Sequence, residues 1–195
     1  MRFLVRLSNQ NTAQPSQAKQ LTTVAYEAVR RLGADVGNLR VSSSAVELDL
    51  LLDSELALER SLRALENRIG PVLTLRKLDT PPPAIEGEEA IRSGLDLFNQ
   101  ERYWESHESL EPAWRGASGD EKEVLQGLIL LAAALVHWQK NERNVTLSVM
   151  KRAWDKLRAH KGHYYGVDIV ALADKVNKLI EIGQPEFFKI EVKPL

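Results

Sequence analysis

The first part of the chain combines two hydrophobic periods. Apolar residues alternate with other residues in four short stretches, which is typical of strands; these stretches lie at residues 3–8, 39–42, 45–52 and 72–78. Between them, two apolar stripes recur every three to four residues and predict helices; they run from Ala18 to Leu32 and from Leu58 to Ile69. The order strand, helix, strand, strand, helix, strand is the split β-α-β arrangement, so residues 1–79 are predicted to form a ferredoxin-like (βαββαβ) sandwich.

The second part of the chain follows the helical period throughout. A run of three prolines precedes it and favours a stiff, extended connector, so we place a proline linker at residues 80–84. Residues 85–183 are predicted to form an all-α bundle of about five helices, and the fold class is α+β. The helix that ends near Gln139 is apolar on nearly all sides, which is typical of a central helix. Pro112 lacks an N–H group, which predicts a kink or an early end of its helix.

The tail of the chain, residues 184–195, returns to the strand period. Phe188, Ile190 and Val192 alternate with charged residues, so we expect these three side chains to face an apolar surface. No partner strand lies nearby in the sequence, although the backbone groups of a strand need hydrogen-bond partners. We therefore expect the tail to pair with an edge of the N-terminal sheet.

Composition excludes several classes of protein. The formal net charge is −1, and the predicted strand Ala45–Leu52 is acidic and has no aromatic residue, so no nucleic-acid partner is expected. The absence of cysteine excludes disulfides, thiolate nucleophiles and cysteine zinc sites. The longest apolar run, Gly127 to Val136, is about half of a membrane span, and Met1–Leu7 is too short and too charged for a signal peptide. We expect a cytoplasmic protein without membrane contact, whose N-terminal domain serves as a scaffold or association domain rather than as a small-molecule regulatory domain.

One predicted helix mixes aromatic and charged residues on a single face. If it begins near Tyr103, then Trp104, His107, Glu108 and Glu111 stand at i, i+3, i+4 and i+7. Ordinary amphipathic helices separate such residues, so we expect this face to meet packed aromatic surface rather than water. We predict that this face lines a partly enclosed cleft of the bundle. Gln126 and His137 of the central helix are eleven residues apart, about three turns, so they share one face of that helix and are expected to line the same cleft. The further members of this cleft are Trp114, Gln126 and His137.

Two sequence blocks in this half stand in a fixed order, Trp104-Glu105-Ser106-His107-Glu108 and Leu125-Gln126-Gly127-Leu128-Ile129. Because of these two blocks, the chain from about Ala90 to His160 resembles the domain-of-unknown-function family numbered 309, which is a helical bundle found in bacteria and archaea. That family often has glycine where Glu101 stands and alanine where Ser106 stands. The resemblance implies a helical fold, and it brings no established reaction.

Three functions remain open for the predicted cleft. It could be a structural hydrogen-bond network that fixes the register of the helices, or a binding module for a small molecule or a protein partner. The alternative is a metal-dependent hydrolase that requires a divalent metal ion as its cofactor. In that case His107 and Glu111 would be ligands from one helix face, His137 would be the third ligand, and Glu108 would act as the general base.

Overall fold

The computed structural model of the chain describes residues 1–79 and 86–193. The chain divides between residues 83 and 84 into two compact units, and the short segment at residues 139–141 is grouped with the first of them. We call the first the sheet unit and the second the helical unit. The predicted proline linker at residues 80–84 lies outside the described residues.

The sheet unit contains four antiparallel strands in the order β2-β3-β1-β4. The strands are β1 (Arg2–Ser8), β2 (Ala34–Val41), β3 (Ala45–Leu52) and β4 (Val72–Lys77). Helix α1 (Ala18–Val29) connects β1 to β2, and helix α2 (Leu58–Glu66) connects β3 to β4. This is the split β-α-β topology, and the predicted α+β fold is confirmed.

The second strand is longer than the sequence predicted. It begins at Ala34 rather than near residue 39. Its pairing with β3 shifts register between Gly37 and Arg40, and Asn38 between them has a positive φ of 50°. Such a bulge interrupts the alternation of side chains between the two faces, so the period of two cannot be followed across it.

The apolar core of the sheet unit lies between one face of the sheet and the two helices. Alternate residues of β1 and β3 contribute to it, among them Val5 and Leu48, which are fully buried and opposite each other in the register. Ala25 of α1 and Leu65 of α2 cover them and are also fully buried. Because side chains alternate along a strand, the residues between these positions point to the other face of the sheet.

The helical unit contains five helices within its described residues, in agreement with the predicted bundle. They are α3 (Gly87–Asn99), α4 (Tyr103–Gly116), α5 (Gly119–Gln139), α6 (Arg143–Leu157) and α7 (Ile169–Ile182). Helix α5 carries the central part of the core, as its apolar residues predicted. Helix α4 continues for four residues beyond Pro112, so the predicted early end is wrong.

A two-stranded hairpin precedes α7 and was absent from the sequence prediction. It consists of β5 (His163–Tyr164) and β6 (Val167–Asp168). Its two turn residues, Tyr165 and Gly166, both have positive φ, 52° and 79°, as a type I′ turn requires. Asparagine or glycine usually takes the first of these positions, and the tyrosine there conceals the turn signal.

The tail packs within the helical unit. Phe188 and Ile190 are buried in its core, as predicted, whereas Val192 is 44% exposed. Val192 forms an antiparallel bridge with Val167 of β6. The predicted pairing of the tail with the edge of the N-terminal sheet is therefore wrong. The hairpin that supplies the actual partner was not foreseen.

Candidate functional site

Helices α3 and α4 form a tightly packed hairpin that determines which face of α4 is exposed. A Cβ atom added at Gly94 of α3 would lie 2.6 Å from Cγ of Leu110, so only glycine allows this approach. The hydroxyl of Ser106 donates to the carbonyl of Gly94 at 2.8 Å, and the hydroxyl of Ser109 donates to the carbonyl of Ala90 at 2.9 Å. Thus the hydroxyl of Ser106, where the family often has alanine, joins two helices.

The turn between α3 and α4 contains Glu101, the position at which the family often has glycine. Glu101 has a positive φ of 59°, which is a left-handed conformation that glycine adopts without steric cost. A family that often has glycine at this position is therefore consistent with the backbone found here. The next residue, Arg102, precedes α4, and its guanidinium donates to both carboxylate oxygens of Glu105 at 2.7 and 2.8 Å.

Three residues of the predicted constellation lie together on α4. The rings of Trp104 and His107 are stacked, with centroids 6.0 Å apart and planes 7° apart. Nδ1 of His107 lies 3.9 Å from Oε1 of Glu111. Oε2 of Glu111 also accepts a hydrogen bond from Arg115 at 2.6 Å. Glu108, half-buried, stands between them in the sequence. We call Trp104, His107, Glu108 and Glu111 the α4 surface.

The α4 surface is more exposed than the sequence analysis expected. Trp104 is 37% exposed, and the side chains of His107 and Glu111 are 26% and 36% exposed. A different stripe of α4 faces the core, and its buried members are Tyr103, Ser106, Leu110 and Ala113. The expected aromatic surface beside the histidine is present as the Trp104 ring, whereas this face is partly open to solvent, because Ser106 and Leu110 are the residues of α4 that meet α3.

Trp114 is part of the packing of the bundle. It is partly buried against the core, and the ammonium of Lys122 lies 5.0 Å from its ring centroid. Its indole Nε1 is buried and has no hydrogen-bond partner in the part of the chain that the structure describes. A tryptophan held in this way contributes mainly apolar contact area to the helical unit.

The residues predicted on the central helix have other surroundings. Nδ1 of His137 pairs with a carboxylate oxygen of Glu142, which precedes α6. Gln126 is half-buried on α5. Residues 1–79 and 86–193 contain no group of three or more His, Asp or Glu side chains that could hold a metal ion. The metal set of His107, Glu111 and His137 has no support in this arrangement, while the convergence of the whole constellation in one cleft stays a prediction.

A second surface, which the sequence analysis missed, lies at the other end of α4. A groove of about 460 Å³ is lined by Pro112 and Ala113 of α4, by Glu88 of α3, and by Glu121 and Tyr165, among others. The hydroxyl of Tyr165 donates to Oε1 of Glu121. Burial, together with this hydrogen bond and the charge of Glu121, raises the pKa of Tyr165 to about 12. The phenol is therefore neutral at physiological pH and acts as a donor.

None of the helices in the described ranges is both long and apolar enough to cross a membrane. The expected cytoplasmic location stays a prediction.

Part of this chain is similar to a protein family and to a solved structure. The model of a family described as "Domain of unknown function (DUF309)" matches residues 91–149. The crystal structure of a conserved hypothetical protein from Thermus thermophilus shares 33% sequence identity with this chain. The alignment covers 46% of this chain and 94% of that chain, with a TM-score of 0.41. No curated protein matches the chain.

Proposed function

Since the match to residues 91–149 makes the C-terminal half of this chain a member of the DUF309 family, we infer that this half is a binding module and that the α4 surface is its contact surface. The resemblance recognised in the two sequence blocks is thereby confirmed, and the family description brings no activity. The proposal rests on one observation, the exposed Trp104 ring stacked on His107.

An exposed, well-positioned tryptophan favours a contact role. Tryptophan is among the residues most enriched at the energetic centres of protein interfaces, because it buries a large apolar area when a partner covers it. The stack with His107 restricts the ring before any partner arrives. Less side-chain entropy is then lost on binding, which increases affinity.

The charges around Trp104 indicate the chemistry of the partner. Glu105, Glu108 and Glu111 follow one another along α4; Arg102 pairs with Glu105 near the start of the helix, and Arg115 pairs with Glu111 near its end. Carboxylates beside an exposed indole suit a cation, since ammonium and guanidinium groups bind both a carboxylate and the face of a tryptophan. We propose a protein partner that presents Lys or Arg next to an apolar side chain.

The degree of exposure favours this proposal over a purely structural network. Two polar contacts between α3 and α4 are neutral hydrogen bonds, the buried one of Ser106 and the part-buried one of Ser109. The ion pairs of Glu111 reach solvent, and exposed pairs of this kind contribute little to stability. A network that fixed the register of the helices would need its charged members inside the bundle.

A peptide-display selection on the full-length protein tests the proposal. We expect the selected peptides to contain Lys or Arg beside an aromatic or aliphatic residue and to lose at least tenfold in affinity for Trp104→Ala, since hot-spot truncation costs about 2 kcal/mol or more. Their affinity should also fall as salt is raised. Val170→Ala is the matched control, because Val170 is 45% exposed on another helix.

Selected peptides that bind wild type and Trp104→Ala equally would exclude the α4 surface as the contact site. Elemental analysis of the purified protein tests the hydrolase alternative. Stoichiometric metal in wild type that is absent from His107→Ala would replace the binding module by a metal site.

A further inference from the structure

The tail, residues 184–193 as described, lies on the helical unit in the manner of a bound peptide. Outside one bridge position it belongs to no helix or strand. Its buried side chains are Pro185, Phe188 and Ile190, and the residues between them are exposed or half-exposed. Spaced anchors on an extended backbone are the usual features of a recognised linear segment.

Two aromatic residues of the tail pack against aromatic residues of α3 and α4. The ring of Phe188 packs against Phe98 with centroids 5.5 Å apart, and the ring of Phe187 stacks on Tyr103 with centroids 6.0 Å apart. Phe98 and Tyr103 contact each other edge to face at 4.9 Å. We call this surface, together with Asn99 and the hairpin residue Gly166, the tail groove.

The tail groove also binds the backbone of the tail. The side-chain amide of Asn99 donates to the carbonyl of Ile190 at 2.9 Å, and its oxygen accepts from the N–H of Ile190 at 2.8 Å. Further along, the N–H of Lys193 donates to the carbonyl of Gly166 at 2.9 Å, beside the bridge between Val167 and Val192. These contacts use backbone groups, which any extended peptide supplies, and the addition of a chain to a strand edge is a common mode of peptide binding.

The tail borders a pocket and follows the end of a helix. A cavity of about 160 Å³ remains between the tail and α7, lined among others by Leu172, Lys175 and Ile190. Helix α7 ends at Gly183 with a left-handed cap at φ 69°, so the tail can leave without unwinding a helix. A terminal segment outside the helices, with exposed residues between its buried ones, belongs to the part of a structure that opens at lower free-energy cost than the helices themselves.

From these contacts we propose that the tail groove is a peptide-recognition site that the chain's own tail occupies in cis. Its partner is a protein with an extended segment that places an aromatic residue two positions before an aliphatic one, as Phe188 and Ile190 do. The tethered tail competes at high effective concentration, so the site is autoinhibited and opens only to a partner that displaces the tail. This site is separate from the α4 surface and does not depend on the function proposed for it.

A labelled peptide with the sequence of residues 184–193, followed by fluorescence anisotropy on full-length protein, tests the proposal. Ile190→Asp weakens the cis tail and leaves the groove intact, so we expect the peptide to bind this variant at least tenfold more tightly than wild type. Lys189→Asp is the matched control, because Lys189 is exposed and the same aspartate there should leave the tail in place. Adding Asn99→Ala to Ile190→Asp should abolish binding, whereas adding Trp104→Ala should not change it.

Hydrogen exchange of wild type provides a measurement that needs no variant. The N–H groups of Ile190 and Lys193 should exchange at least tenfold faster than those of α5, and an excess of the unlabelled peptide should accelerate their exchange further by displacing the tail. Exchange of these amides only together with α5 would overturn the proposal. Failure of the peptide to bind a folded Ile190→Asp variant would overturn it too, and so would dimers that exchange tails in place of peptide binding.

Discussion

The two units place their charged side chains in opposite ways. The sheet unit buries three of them on the face of the sheet that points away from α1 and α2: Arg40 is 3% exposed, Glu47 1% and Asp49 3%. Glu47 lies 3.3 Å from Nε of Arg6 and 3.4 Å from Nε of Arg40. Asp49 pairs with Arg2 and accepts a hydrogen bond from Asn38 at 2.8 Å.

In the helical unit, no Lys, Arg, Asp or Glu side chain among the described residues is as fully buried as Arg40, Glu47 and Asp49 are. Two of the fully buried polar groups of this unit are the hydroxyls of Ser106 and Thr146, and both donate to backbone carbonyls. The residues that drew attention in the sequence, Trp104, His107 and Glu111, are partly exposed. A buried polar network was one of the three possibilities for the helical unit, and a network of buried ion pairs exists in the sheet unit.

The difference in burial distinguishes charged residues that stabilise the fold from charged residues that could contact a partner. A buried ion pair is costly to break, since removal of one partner leaves a desolvated charge. An exposed pair is inexpensive and can be rearranged when a partner binds. Substitutions in the sheet network should therefore act on folding, and substitutions in the α4 surface should act on binding.

The largest effect is expected from Glu47→Gln. The substitution preserves the shape of the side chain and removes one carboxylate charge beside Arg6 and Arg40, of which Arg40 keeps Asp49 at 3.8 Å. It should lower the free energy of unfolding by about 3 kcal/mol. Urea denaturation followed by circular dichroism measures it. The control is Glu59→Gln, which removes an exposed partner of Arg63 and should change stability by less than about 0.5 kcal/mol. Equal effects of the two substitutions would mean that the buried network has no special role.

A smaller effect is expected from Gly94→Ala in the helical unit. The new methyl group would meet Leu110 at 2.6 Å. Overpacking costs about 1–3 kcal/mol, and the gain in helix propensity of about 1 kcal/mol offsets part of that cost. Thermal melting should show a net loss of stability. Gly116→Ala, at the end of α4 where nothing lies within 4 Å of the added atom, should not destabilise the protein. A stabilised Gly94→Ala variant would contradict the close approach of α3 and α4.

Ser106→Ala tests the neutral hydrogen bonds of the bundle. It deletes the donor to the carbonyl of Gly94 and should cost about 1 kcal/mol of unfolding free energy. Because the family often has alanine here, the variant should fold and keep the binding properties of the α4 surface. His107→Ala is the comparison: it should leave stability nearly unchanged and weaken binding of the selected peptides. The reverse pattern would make His107 a structural residue.

The smallest effect concerns a surface charge of the helical unit, Asp168. Its carboxylate caps α7 by accepting from the N–H of Ala171, and this hydrogen bond lowers the pKa of Asp168 below its ordinary value. A lowered pKa in the folded state means that the cap stabilises the protein above the unfolded pKa and that this stability is lost as pH falls through the folded pKa. NMR titration of the Asp168 carboxyl carbon should give a midpoint below that of an aspartate in an unfolded peptide. The stability difference between wild type and Asp168→Ala should disappear at lower pH. A midpoint equal to or above that of the unfolded peptide would contradict the cap.

The sequence by itself determined the elements and the fold class of both halves. Hydrophobic periods located all four strands of the sheet unit and all five described helices of the helical unit, because a face that must be buried imposes its period on the sequence. The two sequence blocks also identified the family. The bounds of β2 and the hairpin before α7 escaped prediction, since a bulge and a tyrosine in a type I′ turn break the local rules.

The tertiary structure alone decided which polar residues are buried and what the tail contacts. The spacing of Trp104, His107 and Glu111 shows that they share a face of α4, and it cannot show whether that face meets the core or solvent. The pairing of Ile190 with Asn99 joins residues 91 positions apart, and that of Glu47 with Arg6 spans two strands. Periodicity reports only the neighbours within one element, whereas burial and long-range pairing depend on the packing of several elements at once.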